Sequence, residues 1–330
     1  METMEIKTAI LHGLDMEQGG PIISQVELAP ETFLSEYISK RLVRLEKSDQ
    51  CRISTAQSIN GLSLDQAMGL NDWQQFHPFT VSLLKKIAEY RQGNGGQSAD
   101  VLMALLEVDR HLCFYTAVLD YRRSLIHQIS QDENYTRMEL VEYSSALPAA
   151  SSSLSFEFCT DLFTGQTFLM EKKDRGFTPL SQIILSRQFD LSAKEKIKAA
   201  QQIVQQVHAG EDLDEMNHRV QFKQKVAESL KESEEVDLEQ VFEEIYMDQP
   251  STLYEVKAKL QDQGLDQQNL VVSSSPYDVK LKKQKLVTDS GISITLPIDY
   301  VTDNNHVEFI TNPDGSMSIL LKNITHIYDK

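Results

Sequence analysis

The chain has 330 residues but only 3 cysteines, 14 glycines and 9 prolines. The cysteines, Cys51, Cys113 and Cys159, are far apart and form no CxxC pair. Their odd number and wide spacing exclude the usual zinc-site spacings and argue against a disulfide framework, which indicates a reducing compartment. Glycine and proline are too few for a collagen-like or low-complexity chain. The remaining composition, with 41% apolar residues, is that of a globular protein long enough for about two domains.

Long apolar runs are also absent. No stretch of about 18 uncharged apolar residues occurs, so the sequence contains no candidate membrane-spanning helix. The N-terminus carries Glu2 and Glu5 where a signal peptide has basic residues followed by an apolar run. We therefore predict a cytoplasmic protein that makes no contact with membranes.

Basic residues are fewer than acidic residues. The chain has 32 Lys and Arg against 49 Asp and Glu, so its formal net charge is −17 and its pI is about 4.9. A field of this sign repels phosphate backbones at long range. Contact with nucleic acid therefore requires either a local basic patch or a basic partner protein.

Catalytic motifs such as GxSxG, GxGxxG and HExxH, and the Walker-type phosphate loop, are absent. His12 and Asp15 are three positions apart and face opposite sides of a straight strand, which favours a buried structural histidine over a His–Asp relay. His208 and His218 flank the acidic stretch 211–215, which lacks the ligand spacing of an EF-hand and is interpreted as a solvated loop between helices. We predict no enzyme activity and no metal or other cofactor. The alternative is a nuclease or hydrolase whose metal is held by scattered Asp, Glu and His residues.

Hydrophobic periodicity predicts an N-terminal mixed α/β domain over residues 1–190. An amphipathic helix begins at Pro30 and presents Leu34, Ile38, Leu42 and Leu45 on one face, and a second helix spans 78–90. The serine-rich stretch 147–153 is interpreted as a surface loop within this domain, with a domain linker as the alternative. The predicted strands form an antiparallel meander followed by a hairpin that turns at Leu162–Gly165; they cover 6–14, 99–108, 112–121, 125–129, a segment beyond Met138, and both sides of that turn.

The pattern changes to acidic helices over residues 191–264. Ser192 and Glu195 have the form of a capping box, Asp237 and Thr252 begin similar stretches, and Gly264 is placed to end the last helix. Residues 191–250 hold 14 acidic and 7 basic residues. A small β region packed with these helices is predicted for 265–330, with strands at 269–273, 279–287, 292–296, 306–310 and 317–321 and a turn at Asn312–Gly315. The predicted fold class is α+β.

Seven short segments, in order along nearly the whole chain, carry a family resemblance. They are Ala9–Asp15, Phe33-Leu34, Ala99–Leu102, Tyr115–Tyr121, Gly291–Pro297, Asp314–Ile319 and Lys322–Ile324. Taken together, these segments resemble the 37-kDa nucleoid-associated bacterial protein family. The resemblance implies a nucleoid location, association with DNA and contact with type II topoisomerases. It implies no enzyme chemistry and supplies no catalytic or ligand motif.

Two basic clusters are candidate nucleic-acid contacts. Lys280, Lys282, Lys283 and Lys285 fall on a predicted strand, where Lys283 and Lys285 share one face and the other two lysines share the opposite face. Protection of an exposed sheet edge competes with phosphate contact as the explanation for these lysines. The second cluster, Lys40, Arg41, Arg44 and Lys47, lies on the first helix, where an ordinary solvated face is the alternative.

The acidic helices suggest a different mode of action. Glu234, Glu235, Glu239, Glu243 and Glu244 form a negative segment that could bind the basic surface of a topoisomerase. In that case the protein reaches DNA only through its partner. The alternative is an ordinary solvated helix surface, and the sequence leaves open whether the protein forms oligomers.

Overall fold

The computed structural model describes residues 4–17, 20–132, 135–172, 178–209, 212–233, 235–265, 270–271, 283–301, 305–314 and 316–326. The chain divides into two compact units, Met1–Asp190 and Leu191–Lys330. The boundary falls where the sequence changes from mixed α/β patterning to acidic helices. Both of the segments that we distinguished beyond residue 190 belong to the second unit. The α+β fold class is confirmed, because helices accompany sheets whose strand pairs are antiparallel.

The first unit is built on one antiparallel sheet of seven strands in the order β2-β1-β6-β7-β10-β11-β3. Its strands are β1 (Met4–Asp15), β2 (Gly20–Ile22), β3 (Arg52–Thr55), β4 (Ser58–Ile59), β5 (Leu62–Ser63), β6 (Ala99–Val108), β7 (His111–Asp120), β8 (Arg122–Asp132), β9 (Tyr135–Ala146), β10 (Phe156–Asp161) and β11 (Gln166–Glu171). The predicted strands of this unit are confirmed; they correspond to β1, β6, β7, β8, β9, β10 and β11. The meander is interrupted, because β8 and β9 pair only with each other and β10 takes the place beside β7.

Helices cover both faces of this sheet. The helices are α1 (Thr32–Lys47), α2 (Leu64–Ala67), α3 (Trp73–Gly93) and α4 (Leu180–Leu185), with a short 3-10 turn at Met68–Asn71. The buried face of α1 packs in one core with Tyr115 of β7, whereas α3 packs in the other core with Phe114. Since neighbouring residues of a strand point to opposite faces, these two side chains mark the two sides of the sheet.

Helix α3 begins earlier than the sequence pattern predicted. We placed its start at about Pro78, just before the apolar spacing of Val81, Leu84 and Ile87. The helix instead begins at Trp73, where the Asp72 carboxylate accepts a hydrogen bond from the backbone N–H of Gln74 at 3.0 Å. Pro78 is therefore an internal residue of the helix. The aspartate cap stabilises the earlier start because it satisfies a backbone donor that the first turn of a helix leaves without a partner.

The second unit combines a helical core with small β-hairpins. Its elements are α5 (Ala193–Val207), α6 (Asp212–Ser233), α7 (Leu238–Ile245), α8 (Pro250–Asp262), α9 (Ile298–Val301), β12 (Glu235–Val236), β13 (Leu270–Val271), β14 (Lys283–Val287), β15 (Ser293–Pro297), β16 (Val307–Thr311) and β17 (Met317–Leu321). The strands pair as β12–β13, β14–β15 and β16–β17. Residues of α5, α6, α7 and α8 share one core, and Val220 of α6 joins Leu296, Ile298 and Val307 in a second.

The predicted helix boundaries in this unit have mixed outcomes. The capping box at Ser192 and the cap at Asp237 are confirmed, and Gly264 takes the left-handed conformation with φ of 64° just after α8. The predicted solvated loop at 211–215 is wrong from Asp212 onward, because α6 begins there. The predicted cap at Thr252 is also wrong, since α8 begins at Pro250, where proline's fixed φ suits a first turn. Parts of the predicted strands at 269–273 and 279–287 lie outside the described residues.

Candidate nucleic-acid interface

The hairpin β14–β15 carries two of the predicted lysines on an exposed face. Lys283 and Lys285 of β14 are exposed, and they lie opposite Pro297 and Thr295 of β15. Directly opposite residues of an antiparallel pair share one face, so the two ammonium groups and the Thr295 hydroxyl lie on the same side of the hairpin. Ser293, opposite Val287, adds a second exposed hydroxyl to this face. Lys280 and Lys282 lie outside the described residues.

No residue of β14 or β15 carries a carboxylate. The exposed face therefore offers two positive charges and two hydroxyl groups without an acid in either strand. Lysine ammonium groups and the hydroxyls of serine and threonine are common donors to phosphate oxygens. This face, which we call the lysine face, has the donor chemistry of a phosphate-contact surface.

The opposite face of this hairpin is held against helix α6. Gln284, between the two lysines, is buried, and its Oε1 accepts a hydrogen bond from Lys223 Nζ of α6 at 2.6 Å. Burial, followed by the charge of Arg219, lowers the pKa of Lys223. Leu296 of β15 and Val220 of α6 lie in the same apolar cluster. These contacts fix which side of β14 faces solvent, and they leave Lys283 and Lys285 directed outward.

The basic cluster on α1 is less uniform than the lysine face. Lys40 and Lys47 are exposed, and Lys40 forms an i,i+4 pair with Glu36 at 3.3 Å. Arg44 is half-buried and donates from Nη2 to the Ser153 hydroxyl at 2.8 Å. An exposed ion pair such as Lys40–Glu36 contributes little to stability. Lys40 and Lys47 remain accessible cations on the outer side of the helix.

Arg41 must be removed from the predicted DNA-contacting residues. Its side chain is fully buried and forms a bidentate ion pair with Glu157 of β10, in which Nε donates to Oε1 at 2.9 Å and Nη2 donates to Oε2. Nη1 donates to the backbone carbonyls of Ala150, at 2.9 Å, and Ser152. The guanidinium is thus fully used inside the first unit and is not available to a phosphate group.

The hydrogen bonds of Arg41 also hold the serine-rich stretch 147–153, which precedes β10. Tyr115 of β7 donates its hydroxyl to Glu157 Oε1 at 2.6 Å, and burial, followed by the charge of Glu157, raises the pKa of Tyr115. Tyr37 of α1 donates to the carbonyl of Pro148 at 3.0 Å. Residues 147–153 therefore form a loop that is tied to α1 within the first unit, as the sequence favoured, and they do not act as a linker.

The predicted acidic surface is partly neutralised by lysines of neighbouring helices. Lys257 of α8 lies 2.9 Å from Glu239 Oε1 and also pairs with Glu243, both on α7. Glu244 pairs with Lys225 of α6 at 3.0 Å, and this hydrogen bond lowers the pKa of Glu244. Glu235 is exposed on β12, whereas Glu234 lies outside the described residues. The three α7 carboxylates keep 40%, 50% and 44% of their side-chain surface exposed in these pairs.

The histidines singled out from the sequence are structural. His12 is buried; its Nδ1 accepts the backbone N–H of Ser24 at 3.1 Å, and its Nε2 lies 3.1 Å from the Thr80 hydroxyl. Burial, followed by the charge of His77, lowers the pKa of His12 to about 4, so the ring is neutral at pH 7. The prediction of a core histidine is confirmed.

His208 and His218 are also buried. Their rings stack at 4.2 Å between centroids, and both rings stack on Tyr246. Within the part of the chain that the structure describes, no group of three or more His, Cys, Asp and Glu side chains is arranged to hold a metal ion.

Sequence reasoning missed one polar pair. His111 Nδ1 lies 2.6 Å from Asp161 Oδ2, beside a cavity of about 530 Å³ whose walls include Cys113 and Cys159. The strand register β7–β10, which places Cys113 opposite Asp161, brings these residues together across 50 positions of sequence. A hydrogen bond with Cys113, followed by burial, raises the pKa of Cys159, which keeps that thiol protonated. The cavity therefore combines a histidine–aspartate pair with the protonated thiol of Cys159.

Comparison with known families indicates the class of protein that this α+β chain resembles. Residues 167–328 match the family model described as nucleoid-associated protein YejK, a stretch that begins in β11 and includes the lysine face. The match covers just under half of the chain and supports a place among nucleoid-associated proteins. The resemblance found in the sequence is thereby confirmed over this stretch. A search of the curated proteins finds no match. Among the described helices, none combines the length and the apolar character needed to cross a bilayer.

Proposed function

We propose that this protein is a non-enzymatic component of the nucleoid that contacts DNA directly through the lysine face. The observation that carries this proposal is the placement of Lys283 and Lys285 beside the Thr295 hydroxyl, on an exposed surface whose two strands contain no acid. The lysine face also lies inside the stretch that matches the nucleoid-associated family. A local patch of this kind is what a chain with a net charge of −17 requires in order to approach a phosphate backbone.

The charge of the patch sets the kind of binding that we expect. Each neutralised phosphate releases condensed counterions, and the slope of log K against log salt is about −0.9 per contact. Two lysines therefore account for a slope of about −1.8. Lys280 and Lys282, which precede the hairpin in the sequence, are further candidates for the same contact. Binding should be weak, largely independent of sequence and strongly weakened by salt.

The test is fluorescence anisotropy of a labelled duplex, titrated with protein between about 50 and 200 mM salt. The Lys283→Gln, Lys285→Gln double variant should bind more weakly than the unaltered protein, with a salt slope that is shallower by about 1.8. The matched control is Lys257→Gln with Lys259→Gln, which changes the net charge equally on α8 of the same unit. Equal slopes for the two double variants would remove the lysine face from the DNA contact.

The exposed cations of α1 form a second proposed contact in the first unit. Lys40 and Lys47 face solvent, and Arg44 lies between them on the same side of the helix. Replacing Lys40 and Lys47 by Gln in the same titration measures their share of the salt slope. Because the α1 cations have Glu36 as a neighbour, we expect a smaller change than for the lysine face.

A second candidate function is recruitment by a basic partner, for which the family resemblance suggests a type II topoisomerase. The supporting observation is that the carboxylates of Glu239, Glu243 and Glu244 remain about half exposed although each is paired. Such surface pairs can be replaced by cations of another protein at little cost. Glu239→Gln with Glu243→Gln should weaken binding to purified topoisomerase in the absence of DNA, while the lysine-face variant should bind it normally. The opposite pattern would contradict this assignment.

The remaining alternative, a metal-dependent nuclease or hydrolase, makes a separate prediction. A metal that binds only the native state raises the melting temperature in proportion to its affinity. We expect no rise with Mg²⁺, Mn²⁺ or Zn²⁺ and no cleavage of supercoiled DNA. A metal-dependent rise accompanied by cleavage would replace the non-enzymatic proposal.

A further inference from the structure

The β8–β9 ribbon is the most exposed apolar structure in the described part of the first unit. Its two strands, of 11 and 12 residues, pair with each other and with no other described strand. An isolated two-stranded ribbon is only marginally stable in water, because neither of its faces is packed on a core. A ribbon of this length therefore indicates that something covers it.

One face of the ribbon, which we call its apolar face, carries four large and exposed apolar side chains among polar ones. The register places Ile129 opposite Met138 and His127 opposite Leu140, and Leu125 lies on the same face. The exposed fractions are 69% for Leu125, 55% for Ile129, 68% for Met138 and 77% for Leu140. Large apolar side chains in so exposed a cluster are typical of an interaction surface.

The outer edge of β9 is paired with no other described strand. Natural sheets shield exposed edges with charged side chains, lysine above all, with proline or with very short strands. Strand β9 has 12 residues and contains neither lysine nor proline. Its backbone groups are therefore suited to pair with an added strand.

The charges of β9 point to a second copy of this chain as that strand. Arg137 and Glu139 are two positions apart on the same face and pair with each other along the strand. A two-fold axis perpendicular to the sheet at Met138 would place Arg137 of each copy opposite Glu139 of the other. A shift of the register by one residue pair in either direction would instead place Glu139 opposite Glu139, or Arg137 opposite Arg137. Like charges directly opposite each other destabilise a sheet, so only the first of these three registers is complementary.

We propose that the protein self-associates by antiparallel pairing of β9 with β9 of a second copy, centred on Met138. The product is a four-stranded sheet in which the two Met138 side chains lie next to each other on the apolar face. The ribbon residues 122–146 hold three arginines and four acidic residues, so this part of a strongly acidic chain carries little net charge. Two copies can therefore approach here with less repulsion than at the acidic helices. Because one strand edge buries less area than a standard interface, we expect a reversible dimer.

The test is sedimentation velocity over protein concentrations of about 1 to 100 µM, using two charge variants of β9. Arg137→Glu makes both positions negative, and Glu139→Arg makes both positive. Each variant alone should dimerise about tenfold more weakly than the unaltered protein, because each symmetric contact then joins like charges. An equimolar mixture of the two should recover the dimer, because every contact then joins opposite charges.

The mixing experiment separates self-association from a purely structural role of the Arg137–Glu139 pair. Damage within one ribbon is not repaired by adding the other variant, whereas a complementary interface is. Arg123→Glu is the matched control, since Arg123 is an exposed ribbon arginine on β8, 3.7 Å from Glu142. It should leave the dimer unchanged. A protein that stays monomeric at every concentration, or a mixture without recovery, would overturn the proposal.

Discussion

Charged side chains serve different purposes in the two units of this protein. In the first unit, Arg41 and Glu157 are both fully buried and hold α1, β10 and the loop 147–153 together. In the second unit, Lys257 bridges Glu239 and Glu243 on helix surfaces that remain in water. A buried ion pair is strongly destabilising to break, because the remaining charge is left without a partner in a poorly solvated site. A surface pair costs little to exchange, so exposed charges such as those of the second unit can bind DNA or a partner, whereas the Arg41–Glu157 pair cannot.

The largest effect should come from Arg41→Ala. This change leaves the Glu157 carboxylate buried beside Tyr115 and frees the carbonyls of Ala150 and Ser152. We expect a loss of about 3–5 kcal/mol in the free energy of unfolding, measured by urea denaturation of the first unit's transition. Arg44→Ala, one helical turn away and half-exposed, is the control and should have a much smaller effect. If the two variants unfolded at the same urea concentration, the buried pair would not be the main contribution of α1 to stability.

The buried His12 extends this contrast between buried and exposed groups to the pH dependence of stability. The pKa of His12 is about 4 in the folded protein, against 6.5 for an unperturbed histidine. Above pH 6.5 both states are neutral, and between pH 6.5 and 4 the unfolded state binds a proton that the folded state does not. Stability should therefore fall by about 3 kcal/mol across this interval.

The measurement for this prediction is the free energy of unfolding between pH 7.5 and 4, compared with His12→Gln. The variant should lose stability less steeply, because glutamine does not titrate. His127→Gln, at an exposed position of the ribbon, should keep the steep slope of the unaltered protein. A parallel slope for His12→Gln and the unaltered protein would show that another group accounts for the acid sensitivity.

The smallest effect should follow from Lys257→Gln. Donating hydrogen bonds to Glu243 and Glu239 raises the pKa of Lys257, yet the lysine lies at the surface, where water and salt replace these contacts. We expect a melting temperature close to that of the unaltered protein, determined by calorimetry at low and high salt. A large fall in the melting temperature that persisted in high salt would mean that the surface pair stabilises the helices as strongly as a buried pair.

Most secondary structure was predictable because its signals are local. The spacing of Leu34, Ile38, Leu42 and Leu45 defined α1, and alternation in β14 placed Lys283 and Lys285 on one face. A predicted helix start was wrong where the cap lies before the apolar pattern begins, as at Asp72 of α3. Arg41 was misassigned although a signal existed, since it lies three residues after Ile38 and four before Leu45, on the apolar face. Its partner Glu157 is 116 residues away, and nothing near Arg41 in the sequence indicates it.

The sequence by itself determined the α+β class, the resemblance to nucleoid-associated proteins, the acidic charge and the positions of most helices and strands. These depend on residues within a few positions of one another and on composition. Tertiary structure alone decided that Arg41 pairs with Glu157, that Lys257 and Lys225 pair with the glutamates of α7, and that β8 and β9 lie outside the main sheet. The reason is that the partner of a charge and the neighbour of a strand are chosen among groups far apart in the chain, by burial and hydrogen bonding in the folded state.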